Sequence, residues 1–345
     1  MTAPLNQYKL NLNDLIRQSL YRSQESTLGV LSLVDNRLRQ HLRSQMSNEL
    51  GNPNCFLSDP VIEHTFGWTS SPYQFKDLAE QKLLSSRLLD TLENTKNAEY
   101  RFNKTIYPYA HQLTAWQHLL NEEQANSAII TSGTGSGKTE CFMIPILEDL
   151  IRSQAKQKGK LVGVQALFLY PLNALINSQK ERLNAWTEPF KGNIRYCLYN
   201  GETRNEAIPK DRETPNEVLS RDKLRQEPPP ILMTNATMLE YMLVRQVDAP
   251  ILNISKNAGS LRWIVLDEAH SYIGSQAAEI ALLLRRVVHA FGKKPQDIRF
   301  VATSATIASK DAEKELCQYL ADLAGVSLEQ IIVVSGSRDF ECLEI

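Results

Sequence analysis

The chain has 345 residues, 42% of them hydrophobic and 22% charged, with a net charge of −1. That length suits about two domains with a sizeable core, and the composition is that of an ordinary globular chain. The near-neutral charge argues against a basic coat that grips nucleic acid by bulk attraction. Five scattered cysteines without a C-x-x-C pair argue against a disulfide framework or a zinc site, and fit a reducing cytoplasm. The polar N-terminus has no secretory apolar core, and no apolar run approaches the roughly 18 residues a membrane span needs. The expectation is a cytoplasmic protein with no membrane contact.

Residues 1 to about 50 carry helical spacing, with Leu31, Val34, Leu38, Leu42 and Met46 on one stripe and Arg37, Arg39 and Arg43 among them. Turn signals follow at Gly51-Asn-Pro53 and Asp59-Pro60, and then the aromatic pair Phe66 and Trp68, which reads as a docking point onto the rest. Leu78 to Leu92 is again helical in period, and Asn94 to Asn97 reads as a connector. From about residue 105, apolar strand-like runs alternate with helical stretches. The strands fall near 128–131, 164–170, 194–199, 231–235, 262–267, 298–303 and 331–335, with helices such as 139–155 and 274–291 between them. Alternating β and α elements imply a parallel sheet covered by helices on both faces. Residues 202–230, charged and ending in Pro228-Pro-Pro230, read as a surface excursion. The expected organisation is a mostly helical accessory region over 1–100 and one P-loop α/β domain over 101–345.

Three of these strands end in chemistry. After Ala128-Ile-Ile-Thr131 comes Ser132-Gly133-Thr134-Gly135-Ser136-Gly137-Lys138-Thr139, then the helical run from Cys141. Strand, glycine-rich turn, Lys-Thr and helix form a phosphate-binding P-loop. The glycines let backbone N–H groups close around a phosphate, and the helix N-terminus adds about half a positive charge. Lys138 reaches the β/γ-phosphates, and the Thr139 hydroxyl is a Mg²⁺ ligand. Ser132 stands where the consensus opens with Gly, a mild departure at a position that needs a small residue. The glycine spacing does not fit G-x-G-x-x-G, so a nucleoside triphosphate is expected rather than NAD.

The strand Leu261 to Leu266 delivers Asp267 and Glu268, followed by Ala269 and His270. Parallel α/β sheets bind ligands at this C-terminal strand edge. Asp267 is the natural Mg²⁺ partner opposite Thr139, and Glu268 is placed to polarise the water attacking the γ-phosphate. The run Phe300-Val-Ala-Thr-Ser304-Ala-Thr306 ends in small hydroxyl residues. There Ser304 and Thr306 can bond a neighbouring carboxylate or His270, coupling the site to nucleotide state.

Gly-Ser-Gly-Lys-Thr, Asp-Glu-Ala-His and Ser-Ala-Thr, in this order, resemble motifs I, II and III of superfamily 2 helicases of the DEAD/DEAH-box type. Tyr170 to Gln179 resembles motif Ia, Tyr199-Asn-Gly201-Glu-Thr203 the glycine turn after it, and Met233 to Leu239 motif Ib. Pro108-Tyr-Ala-His-Gln112 resembles the glutamine motif that reads adenine. The wording is similar to that of YprA/MrfA-like and Hrq-like DNA helicases and of large bacterial defence helicases. The resemblance spans roughly residues 100 to 310 and implies a RecA-like fold using ATP and Mg²⁺. It also implies a single strand, DNA favoured, held by its phosphates through Asn173, Ala174, Gly201, Thr234 and Asn235, with Thr203 and Arg204 beside them, and adenine read by Gln112.

Motors of this family cleave ATP between two RecA-like domains, the second supplying an arginine finger. The chain ends at Ile345, soon after Thr306. The expectation is therefore an ATP-binding half that needs a second domain, with Arg285 and Arg286 on a helix surface rather than at the phosphates. Two alternatives stand beside it: a nucleotide-gated binding module with little turnover, and a double-strand translocase that does not separate strands.

Overall fold

Each apolar run ahead of a chemical motif becomes a short, buried strand in the computed structural model. The strands are β1 (Ser127–Thr131), β2 (Ala166–Leu169), β3 (Tyr196–Tyr199), β4 (Ile231–Thr234), β5 (Trp263–Leu266), β6 (Arg299–Ser304) and β7 (Ile331–Ser335). They form one sheet in the order β3-β4-β2-β5-β6-β1-β7, with every pairing parallel. The structure describes residues 12–46, 52, 55–58, 66–133, 135–157, 159–272, 274–304 and 310–339.

Two compact units divide the chain, Met1–Thr65 and Phe66–Ile345. In the first, α1 (Leu12–Val30) and α2 (Asn36–Met46) form a hairpin in which Arg43 pairs with Glu25 at 2.7 Å. The Asp35 carboxylate accepts the Arg37 N–H at 2.7 Å and starts α2. The stripe expected from Leu31 to Met46 is broken here. Ser32 takes φ 47°, and Val34 lies in the turn, 97% exposed.

The remaining helices, in chain order, are α3 (Phe75–Glu80), α4 (Ser86–Glu93), α5 (Ala110–Leu119), α6 (Lys138–Gln157), α7 (Asn173–Ser178), α8 (Lys180–Thr187) and α9 (Arg221–Gln226). They continue with α10 (Ala236–Val244), α11 (Ala249–Asn257), α12 (Ser275–Ala290) and α13 (Lys310–Ala324). The period-2 alternation of the strands sorts them onto two faces. Ala128, Ile130 and Phe168 face one core, with Phe75 of α3, Leu88 of α4, Trp116 of α5 and Phe142 of α6. Ile129, Leu167 and Leu169 face the other, with Met238 of α10, Ile251 of α11, Leu284 of α12 and Leu320 of α13. Strands buried on both sides read as continuous apolar runs, which is what the sequence carries. The helices α3 and α4, ahead of residue 100, contribute to the first core directly.

The excursion 202–230 is less superficial than its charge suggests. Asn216 donates to Asn184 Oδ1 and to Thr187 Oγ1, and Val218 is buried. Asp211, 5% exposed, pairs with Arg204 and Lys223 and accepts the Ile208 N–H. Among the described residues, no helix is long and apolar enough to cross a membrane.

Candidate nucleotide site and nucleic-acid groove

The β1–α6 turn is built by two left-handed glycines. Gly135 has φ 72° and Gly137 φ 71°. The left-handed φ of Gly137 demands glycine, and a Cβ there would lie 2.3 Å from Gln112 Nε2 and displace that amide. The loop is fastened from within: the Ser132 and Ser136 hydroxyls bond each other. His111 Nε2 lies 2.8 Å from the Ser136 carbonyl, which can only accept, so Nε2 carries the hydrogen. Burial pushes the His111 pKa down, keeping the ring neutral in this role. Lys138 and Thr139 open α6, half-buried, at the positive end of a 20-residue helix. Thr134 lies outside the described residues.

Gln112 is 6% exposed, and its amide is occupied by the protein. Nε2 donates to Gly137 O at 3.2 Å, and Oε1 accepts the Tyr109 N–H at 2.9 Å. The side chain expected to read adenine ties α5 to the P-loop. These two bonds use one of the two amide N–H donors and one of the two lone pairs of Oε1.

Against the other side of the loop stands a strip from opposite ends of this unit. Thr69 N–H donates to Ser337 O at 3.0 Å, Asp339 N–H to Gly67 O at 2.9 Å, and Ala110 N–H to Thr69 O at 2.9 Å. The strip sets the Trp68 ring 3.5 Å from where a Gly133 Cβ would lie and edge-on to His111 at 5.7 Å. The Arg338 guanidinium lies over the Trp68 ring at 3.6 Å and donates to Phe66 O at 2.7 Å. The sequence shows a docking aromatic, but not that it docks on the phosphate loop.

Across the edge, register carries the second motif. Leu266 of β5 pairs with Ala302 of β6, which places Asp267 beside Thr303. The Thr303 hydroxyl donates to Asp267 Oδ1 and accepts the Glu268 N–H at 2.9 Å. Thr303, fully buried, therefore straps the two carboxylate residues together, a role that Ser304 and Thr306 were expected to fill. Ser304 is buried and in register with Thr131 at the end of β1, and Thr306 lies outside the described residues.

Asp267 has its pKa raised, chiefly by burial, with the Thr303 bond opposing and the Glu268 charge adding. Glu268 takes a left-handed φ of 51°, uncommon for a non-glycine residue and typical of strained functional turns. Its Oε2 lies 3.3 Å from His270 Nδ1. The turn is held by Tyr319, whose hydroxyl reaches Ala269 O at 2.9 Å and Tyr272 O at 3.0 Å.

Beside this turn a cleft of about 440 Å³ runs between Tyr170–Asn173, Asn235–Thr237 and Ser271–Ile280. Asn235 caps α10 by accepting the Met238 N–H at 2.8 Å and donates to Asn173 Oδ1 at 2.7 Å. Tyr170, Ser271 and Tyr272 line the cleft, and their buried hydroxyls have no hydrogen-bond partner among the described residues. Ala174 and Gly201 are exposed on this side, whereas Thr234 is fully buried with its hydroxyl on Tyr199 O at 2.8 Å. Thr203 closes its own turn onto Leu198 O, and Arg204 is engaged by Asp211. Arg285 and Arg286 bond Asp322 and Glu240, as expected for a helix surface.

Known proteins resemble the part of the chain that carries this site. The DEAD/DEAH box helicase family matches residues 109–314. The Druantia protein DruE of Escherichia coli (strain UMEA 4076-1) is 26% identical over 327 residues, covering 67% of this chain and 18% of that protein. The ATP-dependent helicase YprA of Bacillus subtilis is 30% identical over 215 residues, covering 61% of this chain and 24% of that protein. The chain thus spans about a fifth to a quarter of the length of these curated relatives. In fold it is similar to the helicase MrfA bound to DNA, with a TM-score of 0.51, 23% identity and coverage of 77% of this chain and 30% of that one. The DEAD-box helicase Mss116 bound to ssRNA gives a TM-score of 0.56 at 14% identity, covering 77% and 46%.

Proposed function

The chain belongs to the DEAD/DEAH box helicase family, and from that premise we propose that it is the ATP-binding and hydrolysing half of a nucleic-acid motor. The observation that carries the reading is the strapped pair Asp267–Glu268 at the same sheet edge as the Lys138–Thr139 helix start. Lys138 and the α6 N-terminus hold the β/γ-phosphates. Asp267 is a carboxylate that burial destabilises, the condition of a group suited to a nearby cation. Among the described residues, no three metal-ligating side chains cluster. This fits Mg²⁺, which is held largely through phosphates and water. Thr139 and Asp267 would hold the ion, which neutralises phosphate charge when bound. Glu268, oriented by His270 and by its own backbone bond to Thr303, accepts the proton of the attacking water, leaving ADP and phosphate.

The cleft of Asn173 and Asn235 takes a single strand through its phosphates. The exposed Asn173 and the N-terminus of α10 are donors suited to phosphate oxygens. With a net charge of −1, grip comes from such local contacts rather than from bulk attraction. The similarity of motif wording to YprA/MrfA-like helicases favours DNA. Full turnover requires a second RecA-like domain with an arginine at the γ-phosphate, since Arg285 and Arg286 are engaged on α12. Steady-state ATP turnover, with and without single-stranded DNA, tests this against Lys138→Ala and Glu268→Gln. The expectation is weak turnover by the chain alone, strong turnover once the second domain is supplied, and about 10²–10⁴-fold loss in Glu268→Gln with ATP binding kept. Wild-type turnover in Glu268→Gln would remove Glu268 from the role of base.

A further inference from the structure

At the opposite, N-terminal edge of the sheet lies a cavity of about 630 Å³ that the motor reading does not use. The segments entering β2, β3 and β4 and the excursion 202–230 enclose it. Its cations are Lys160, Lys191, Arg195, Arg212 and Lys223, and its carboxylates are Asp211, Glu217 and Glu227. Each carboxylate is already matched. Asp211 pairs with Arg204 and Lys223, Glu217 with Lys180 at 2.9 Å, and Glu227 with Lys160 and Arg195. Lys191 and Arg212 line the cavity without an ion-pair partner among the described residues, so positive charge is in excess.

Arg195 is the second observation. It is 6% exposed, yet its bonds to Glu227 Oε2 and Glu227 O are long, 3.4 and 3.3 Å, and its Nε has no partner among the described residues. Thr214 also lines the cavity, and its buried hydroxyl has no partner among the described residues. A buried guanidinium with an unmet donor is costly unless an acceptor joins it. Burial pulls its pKa below the usual range, with Glu227 compensating in part. The wall has few apolar side chains and no aromatic ring, so a base has nothing to stack on. The volume falls in the range of small-ligand sites, roughly 300–1,000 Å³.

We propose that this cavity is a binding site for a small phosphate-bearing anion, held by Arg195, Lys191 and Arg212 and remote from the P-loop. Planar guanidinium forks and lysine ammonium groups are the donors phosphoryl oxygens favour. Glu227 occupies Lys160 and Arg195 in the absence of the anion and competes with it.

Pyrophosphate titrated calorimetrically into the Lys138→Ala chain tests the site, because that background removes the P-loop as a competing phosphate site. The expected result is one-site binding that weakens tenfold or more in Lys191→Met/Arg212→Met, two substitutions at exposed positions. Glu227→Gln is expected to bind several-fold more tightly, a gain that misfolding cannot imitate. The ATP affinity of the double variant with Lys138 restored is expected to be unchanged. No pyrophosphate binding by Lys138→Ala, or binding indifferent to all three residues, overturns the proposal. Displacement of pyrophosphate by a short DNA duplex through Lys191 and Arg212 would assign the cavity to a nucleic-acid backbone and overturn the small-anion reading.

Discussion

Thr303 is the residue on which the geometry of the Asp267–Glu268 turn depends. Its single hydroxyl donates to the Asp267 carboxylate and accepts from the Glu268 amide, so its removal leaves one buried carboxylate oxygen and one amide unmet. A hydrogen bond to a charged group contributes about 1.5–3 kcal/mol. Thr303→Val is expected to weaken Mg·ATP binding or turnover by about tenfold or more, and Thr303→Ser to restore most of it; equal loss in both variants would assign the effect to packing. Gly137→Ala, forced into a left-handed φ and into Gln112, is expected to weaken nucleotide binding at least as much in the same titration. The P-loop glycines and the Asp267–Glu268 pair were legible because contiguous residues spell them. The role of Thr303 was not, because it depends on β5–β6 register. Nor was the bond from Gln112 to Gly137 legible, because it joins residues 25 positions apart that no linear pattern links.

His111 and His118 act between residue and element, fastening α5 to the P-loop and to Ser127 of β1. Burial is the main cause lowering both pKa values. The unfolded chain, with histidine pKa near 6.5, then binds protons that the folded chain refuses. Their contribution to stability is complete above about pH 6.5 and is lost as pH falls towards the folded values. Urea midpoints measured from about pH 7.5 to 5.5 are expected to fall on the acid side, and to fall less in His111→Gln. A midpoint that rises on acidification would contradict the neutral ring.

At the scale of elements, the strip joining Gly67–Thr69 to Ser337–Asp339 wedges Trp68 between two glycines. A Cβ on Gly336 would come within 2.6 Å of the Trp68 ring, and one on Gly133 would make ordinary contact at 3.5 Å. Gly336→Ala is therefore expected to push the ring off the P-loop while leaving the strands in place. The expected consequences are a several-fold loss of ATP affinity and a shift in tryptophan fluorescence; an unchanged spectrum would contradict the wedge. The strands themselves were legible to within a residue or two, since burial on both faces writes an apolar run that helix-covered sheets require. The strip was not legible, because its halves come from opposite ends of this unit and neither carries a periodic pattern. The break at Ser32 escaped for another reason: the apolar stripe continued through residues that the fold leaves exposed.

For the whole molecule, seven parallel strands place the P-loop, the carboxylate pair and the cleft of Asn173 and Asn235 on one edge, and a cationic cavity on the other. Motif order made the first edge legible. The second depends on how residues 202–230 fold back onto the segments entering β2, β3 and β4, which no local pattern encodes. The central claim is that the Lys138 loop holds ATP together with Asp267. Its most direct test is equilibrium titration of Mg·ATP into the chain, into Lys138→Ala and into Glu268→Gln. The expected result is binding by the wild type and by Glu268→Gln, with at least a hundredfold loss in Lys138→Ala. Equal affinity in all three would mean that the nucleotide sits elsewhere or nowhere, and the motor reading would fall with it.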